Sequence, residues 1–169
     1  MSRRELGHRF EDENIKKEIK IMQEHLPLLR KIAGWSAEEL GAKLGLAKQS
    51  VLNMESNNKA TVLSQVQFLA LLAIFDMEAC ENDKLALALN MLFEDVEKYE
   101  VHKESIDTFI SLAANDKKIK TDSVLKALGL ISLFAVPIVA PTMILASTTA
   151  GAGILTTKLL TRLLKLGKK

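Results

Sequence analysis

The spacing of apolar residues is the feature that most narrowly limits the fold of this 169-residue chain. Apolar residues recur three and four positions apart in most segments, as in Ile15, Ile19, Met22 and Leu26. That spacing places them on one face of an α-helix, and the alternation typical of β-strands is absent. Apolar residues make up 48% of the chain and charged residues 26%, which is enough to build a core. We therefore expect an all-α fold.

Residues that start and stop helices divide the first half of the chain. Pro27 lacks an amide hydrogen, so we expect it to kink the first helix or to restart the chain as a second one. Gly34 ends that second helix. Ser36 and Glu39 then form a capping box at the start of the next helix, which Gly45 closes after about two turns.

A further helix follows from about residue 47 to residue 56, and two short helices joined by a glycine turn outline a helix-turn-helix. The stretch "LRKIAGWSAEELGAKLGLAKQSVLNMES" resembles the XRE family, whose helix-turn-helix domains are similar to phage repressor and Cro proteins. The resemblance covers about residues 24–78 and implies a repressor/Cro-like bundle that binds DNA. The matching residues are Leu29, Arg30, Lys31, Ser36, Glu38, Glu39, Leu40, Lys43, Leu44, Gly45, Gln49 and Glu55.

The two faces of the second helix have different compositions. Five apolar residues are expected to pack in the angle between the two helices: Leu40, Leu44, Leu46, Val51 and Met54. Trp35 is expected to cover the same core. The opposite face is largely polar: Lys48, Gln49, Leu52, Asn53 and Ser56. Gln and Asn can pair with adenine in the major groove, and Lys can reach guanine or a phosphate. The candidate DNA-contacting residues are Ser36, Lys48, Gln49, Ser50, Leu52 and Asn53.

Three residues depart from the family pattern. Ala37 stands where the family often has a Gln that holds the DNA backbone, so one positioning contact is expected to be lost. Gly41 replaces a common Ala and could permit close helix approach. Leu52 could meet a thymine methyl group or a protein partner. Residues 26–59 carry a net charge of only +2, so nonspecific attraction to phosphates should be modest.

Two more amphipathic helices are expected beyond Cys80. The first places Leu85, Leu89, Leu92 and Val96 on one face, and the second places Ile106, Phe109, Ile110 and Ala113 on another. The expected organisation has five parts, which are an N-terminal amphipathic helix (1–23), the helix-turn-helix domain (24–78), a helical extension that could dimerise (79–115), a charged linker (116–126) and a hydrophobic segment with a basic amphipathic tail (127–169).

The C-terminal segment differs sharply from the rest in charge. Residues 123–169 carry six basic and no acidic side chains, whereas residues 1–122 have a net charge of −4. Residues 127–157 are uncharged throughout, which exceeds the roughly 20 residues that span a bilayer core. Pro137 and Pro141 interrupt this run, so a single span, a hairpin and an apolar hairpin buried in the domain or in an oligomer all stay open. Residues 154–169 have the pattern of an interfacial amphipathic helix.

Residue patterns for catalysis, cofactor binding or metal binding are lacking in the sequence. His8, His25 and His102 lie in different segments without metal-ligand spacing, so we expect neither an enzyme nor a metal or cofactor site. Cys80 cannot form an internal disulfide and is expected to be a buried small apolar residue in a reducing cytoplasm. The paired arginines in "MSRRELGHRFEDEN" lack an apolar run behind them, so we expect no secretory signal.

These observations together predict a sequence-specific DNA-binding transcriptional regulator. Its partners would be double-stranded DNA, a membrane and, as the resemblance implies, a second copy in a homodimer. The reading head would be cytoplasmic and the C-terminus associated with a membrane. The alternative is a membrane-associated helical adaptor that keeps the fold without reading DNA, its polar helix face being an ordinary solvated surface.

Overall fold

The computed structural model describes residues 3–56, 62–115 and 120–130, with side chains from residue 13 onward. The prediction of an all-α chain is confirmed over these ranges, which contain seven helices and no strand. The helices are α1 (Arg3–Ile32), α2 (Ala37–Leu44), α3 (Lys48–Glu55), α4 (Gln65–Ala79), α5 (Asp83–Phe93), α6 (Val96–Asn115) and α7 (Thr121–Ala127).

Helix α1 lies at the centre of the packing and contacts α3, α4, α5 and α6. The predicted stripe of Ile15, Ile19, Met22 and Leu26 is buried, and no residue of it is more than 6% exposed. Buried residues from α1 through α7 belong to one continuous apolar cluster. The first helix therefore belongs to the same core as the helices that follow it.

The predicted restart of the chain at Pro27 is wrong, because α1 continues through this residue as far as Ile32. The same helix also crosses residues 23 and 24, where the sequence suggests a boundary. Proline removes one helical hydrogen bond and adds a steric clash. Leu26 and Leu29 on either side are fully buried, so packing on both sides of Pro27 holds the helix together.

The turn between α2 and α3 depends on two glycines. Gly45 ends α2 with φ of +68°, a left-handed conformation that favours glycine, as the sequence predicts. Gly41 lies against the backbone of the turn, because a Cβ built there would be 2.6 Å from the carbonyl oxygen of Leu46. Gly41 therefore permits a close approach, but between α2 and the turn that leads into α3 and not between one helix and another.

A break separates α5 from α6 where the sequence suggests one continuous helix. Asp95 lies in the break, and its carboxylate accepts hydrogen bonds from the amides of Glu97 and Lys98 at 3.0 and 3.2 Å. These are amides left free at a helix start, so Asp95 caps α6. Val96 consequently begins α6 instead of extending the apolar face of α5. The predicted buried face of Ile106, Phe109, Ile110 and Ala113 is confirmed.

A buried polar cluster joins α1 to α6. His25 is 4% exposed; its Nδ1 donates to the carbonyl of Ile21 at 2.9 Å and its Nε2 lies 2.8 Å from a carboxylate oxygen of Asp107. The hydroxyl of Tyr99 donates to the same oxygen at 3.3 Å. Burial, and then the Asp107 carboxylate, raise the pKa of Tyr99, so its hydroxyl stays protonated as a donor.

Part of the predicted charged linker is helical. Residues 121–126 lie in α7, which packs on α6. Leu125 is 3% exposed and Leu130 is 1% exposed, so the beginning of the uncharged segment is part of the core. No helix within the described ranges is both long and apolar enough to cross a bilayer. The prediction for the rest of the hydrophobic segment falls outside the described residues.

Neighbouring residues on α3 provide a test of which face is buried. Val51 is fully buried and Leu52 is 39% exposed. We expect Val51→Asp to lower the free energy of unfolding by at least about 3 kcal/mol, since it buries an unpaired carboxylate. Leu52→Asp makes the same change at the exposed position and should leave the melting temperature within a few degrees of the parent. Equal melting temperatures for the two variants would contradict the assignment of faces.

Candidate nucleic-acid interface

An ion pair fixes α3 to α1 beneath the candidate site. The guanidinium of Arg30 donates to both carboxylate oxygens of Glu55, from Nε to Oε1 and from Nη2 to Oε2 at 3.0 Å. The third donor, Nη1, bonds the carbonyl of Trp35 at 2.9 Å. The two side chains are 15% and 9% exposed. The hydrogen bond to Glu55 raises the pKa of Arg30, so the guanidinium stays charged.

The indole ring of Trp35 packs against side chains of both α2 and α4. It stacks on Phe75 with centroids 5.6 Å apart and planes 14° apart, which confirms that Trp35 covers this core. The ammonium group of Lys43 lies 4.5 Å from the centroid of the same indole. This cation–π contact holds Lys43 close to the protein surface.

The buried and exposed faces of α3 are largely those that the sequence predicts. Leu40, Val51 and Met54 are buried and Leu44 is half-buried. The expected inward position of Leu46 is wrong, because its side chain is 36% exposed. Leu46 lies in the turn between α2 and α3, where its amide donates to the Gly41 carbonyl at 2.8 Å.

Four of the six candidate DNA-contacting residues occupy one outward surface, which we call the α3 face: Lys48, Gln49, Leu52 and Asn53. All four are exposed, and Ser56 at the end of the helix is exposed as well. Ser50 is half-buried at the edge of this surface. Nε2 of Gln49 donates to Oδ1 of Asn53 at 3.1 Å, so the two amides are oriented as a pair.

Ser36 has a different local role from the other candidates. Its Oγ accepts the Glu39 amide at 3.1 Å, and its own amide donates to the Glu39 carboxylate at 2.7 Å. The predicted capping box is therefore confirmed. The hydrogen bond from the Ser36 backbone amide lowers the pKa of the Glu39 carboxyl, which keeps it charged as a cap. Ser36 is exposed, so its position allows a DNA contact in addition to capping.

The charge on α3 is divided between its two sides. Lys48 and Glu55 are its only ionised side chains, and Glu55 points inward to Arg30. The α3 face thus carries one positive charge and no negative one. At the start of α2, however, Glu38 and Glu39 are both exposed. These carboxylates weaken attraction to a phosphate backbone there, which agrees with the modest charge expected from the sequence.

Two other sequence expectations concern reactive and metal-binding groups. Cys80 is exposed instead of buried, because it lies at the C-terminal cap of α4, with Sγ 3.6 Å from the carbonyl of Asp76. Among the described residues, no group of three or more His, Cys, Asp and Glu side chains could hold a metal ion. The polar cluster of His25, Tyr99 and Asp107 could not be foreseen, since its members are up to 82 positions apart.

The Arg30–Glu55 pair can be tested against an exposed pair on the same helix. We expect Arg30→Met and Glu55→Met each to destabilise the protein by roughly 3 kcal/mol, because each leaves a poorly hydrated charge without its partner. The double variant should lose less than the sum of the two. Lys20→Met removes the exposed partner of Glu24 and should cost less than about 1 kcal/mol in chemical denaturation. Additive losses at positions 30 and 55 would contradict coupling.

Comparison with known proteins assigns no family to this chain. No family model, curated protein or solved structure matches it. The geometry of α1, α2 and α3 and the residues of the helix-turn-helix pattern are consequently what point to a function.

Proposed function

We propose that residues 24–78 form a helix-turn-helix reading head that binds double-stranded DNA in a sequence-specific manner, and that the protein is a transcriptional regulator. The observation that carries this proposal is the position of α3. Its inner face is fixed by Val51, Met54 and the Arg30–Glu55 pair, while Lys48, Gln49, Leu52 and Asn53 all point outward. A rigid helix with a polar, acid-free outer face suits insertion into the major groove.

The chemistry of the α3 face supports base reading. With one Nε2 hydrogen directed to Asn53, Gln49 retains a carbonyl acceptor and a second amide hydrogen, the pair of groups that bind adenine N6 and N7. Lys48 can donate to guanine or to a phosphate. Leu52 is exposed beside them and can contact a thymine methyl group. Polar residues elsewhere in the head, including Ser36, would contact the DNA backbone.

Dimerisation and membrane attachment complete the proposal. One head of this size offers few base contacts, so we propose a homodimer on a two-fold symmetric site. The 31 uncharged residues from 127 to 157 and the basic amphipathic stretch behind them would hold the C-terminus at a membrane, with the reading head in the cytoplasm.

Exposed leucines favour a second candidate function. Leu46 is 36% exposed and Leu52 is 39% exposed, and both lie in or beside the presumed reading helix. Apolar side chains at such positions suit a protein groove as well as DNA. The alternative is thus a membrane-associated adaptor that keeps this fold and binds a protein through α3.

The two amides of the α3 face are the residues to test for base reading. We expect Gln49→Ala with Asn53→Ala to lower the preference for selected over random DNA by at least about tenfold, since each good base contact is worth roughly 1 to 3 kcal/mol. Selection from random DNA pools followed by competition binding measures this preference. Asn115→Ala removes an exposed amide on α6 and should change nothing. A double variant that footprints like the parent would show that these residues do not read bases.

Membrane attachment can be separated from folding by cutting the chain after Leu130. This position keeps α7 and the buried Leu130 in the core. We expect the full chain to pellet with membranes and to resist a carbonate wash, whereas the chain ending at Leu130 should stay in the supernatant. Circular dichroism of the shorter chain controls for folding. A full chain that is monodisperse in buffer without detergent would exclude the membrane assignment.

A further inference from the structure

Helix α4 is apolar on both of its sides. Its inner side is buried in the core: Phe68, Leu71, Leu72 and Phe75. Its outer side exposes Val66 and Met77, each at 76%, together with Ala73, and half-buries Leu69, Ala70 and Ile74. A helix at a protein surface in water normally has a polar outer side. We call these six outer residues the α4 face.

The order of small and large apolar side chains on the α4 face is the same in both directions. Counted from a point midway between Leu71 and Leu72, Ala70 and Ala73 lie at equal distances on the two sides. Leu69 and Ile74 form the next matching pair, followed by Val66 and Met77. The small residues lie at the middle and the large ones toward the ends. An antiparallel copy of α4 would therefore set alanine against alanine at the middle and larger apolar residues against each other toward the ends.

We propose that the α4 face binds the α4 face of a second copy of this chain, antiparallel, about a two-fold axis that passes between Leu71 and Leu72. A two-fold interface places residues near the axis beside their own copies, so like charges there would repel. No charged residue lies between Ala60 and Phe75. The alanines at the centre allow the two helices to approach to about 8 Å, the close end of helix packing.

The size of the α4 face sets the strength of this association. Positions 66 to 77 span about 17 Å of helix, and one such face is smaller than the roughly 800 Å² per partner of a standard interface. The copies would associate weakly alone, and DNA with two half-sites would bring them together. That consequence for DNA rests on the proposed function, whereas the pairing of the two α4 faces does not.

Disulfide trapping in the full chain tests the register of the pair. The only native thiol is first removed by Cys80→Ser, a position exposed at the end of α4. Two differently tagged chains, one with Val66→Cys and one with Met77→Cys, are produced together in cells and exposed to a mild oxidant. We expect the mixed disulfide between positions 66 and 77. Two copies of position 66 would be about 17 Å apart along the helices, so Val66→Cys alone should form no disulfide.

A charged residue introduced on the α4 face tests the same contact by disrupting it. Ala73 is exposed, so Ala73→Glu should preserve melting temperature while placing two carboxylates close together across the axis. We expect it to abolish the mixed disulfide and to lower the affinity for DNA with two half-sites by about a hundredfold, the low end of the gain from linked binding. Affinity for one half-site should not change. Leu112→Glu, an exposed apolar residue on α6, is the matched control and should behave like the parent.

The outcomes distinguish this inference from the DNA-binding proposal. Gln49→Ala with Asn53→Ala should retain the mixed disulfide even if base reading is lost, since α3 does not take part in the pairing. A trapped pair without any DNA binding would support the α4 contact and contradict the proposed function. Equal trapping of 66 with 66 and 66 with 77 would overturn the register. A cysteine at position 66 that is protected from thiol reagents in a monomeric chain would also overturn the inference. Residues 131–169 would then be the segment that covers the α4 face.

Discussion

Burial of one face of α1 is the interaction on which the rest of the fold depends. Ile15, Met22, Leu26 and Leu29 are at most 1% exposed, and burying each such side chain contributes about 1.5 to 3 kcal/mol. Helices α3, α4, α5 and α6 all pack on α1, so each of them is positioned by the same helix. This explains why Pro27 is tolerated: the apolar contacts on both sides of it outweigh a local defect of about 3 kcal/mol.

The Arg30–Glu55 pair adds orientation to this apolar packing. Burying two charges has a desolvation cost that can exceed their attraction, so such a pair is weak evidence for stability. Its geometry is specific, however, because three guanidinium donors meet two carboxylate oxygens and the Trp35 carbonyl. Rotation of α3 about its axis would break these bonds. The pair therefore fixes which side chains of α3 face outward, and that is the property a reading helix requires.

The sequence predicts those features that depend on near neighbours. The capping box at Ser36, the glycine turn at Gly45 and the buried Val51 are confirmed, since each depends on residues within about one helical turn. The break at Asp95 was missed because an aspartate inside an amphipathic pattern resembles a solvated surface residue. The exposure of Cys80 was missed because apolar character alone does not tell which side of α4 meets solvent. Exposure of the α3 face was predictable from periodicity, whereas DNA binding itself depends on a partner that the chain does not contain.

Helices α3 and α4 differ in how their apolar residues are distributed around the helix axis. On α3 the apolar residues Val51 and Met54 lie on the buried side, and Leu52 is the one apolar residue on an otherwise polar outer side. On α4 apolar residues surround the helix, and the core accounts for only half of them. The remaining apolar surface lowers solubility unless something covers it, and a surface of matching order in both directions is best covered by its own copy. A surface helix without a polar side thus indicates a further contact surface, whereas a polar outer side is what any surface helix has, so only the residue types on the α3 face distinguish it.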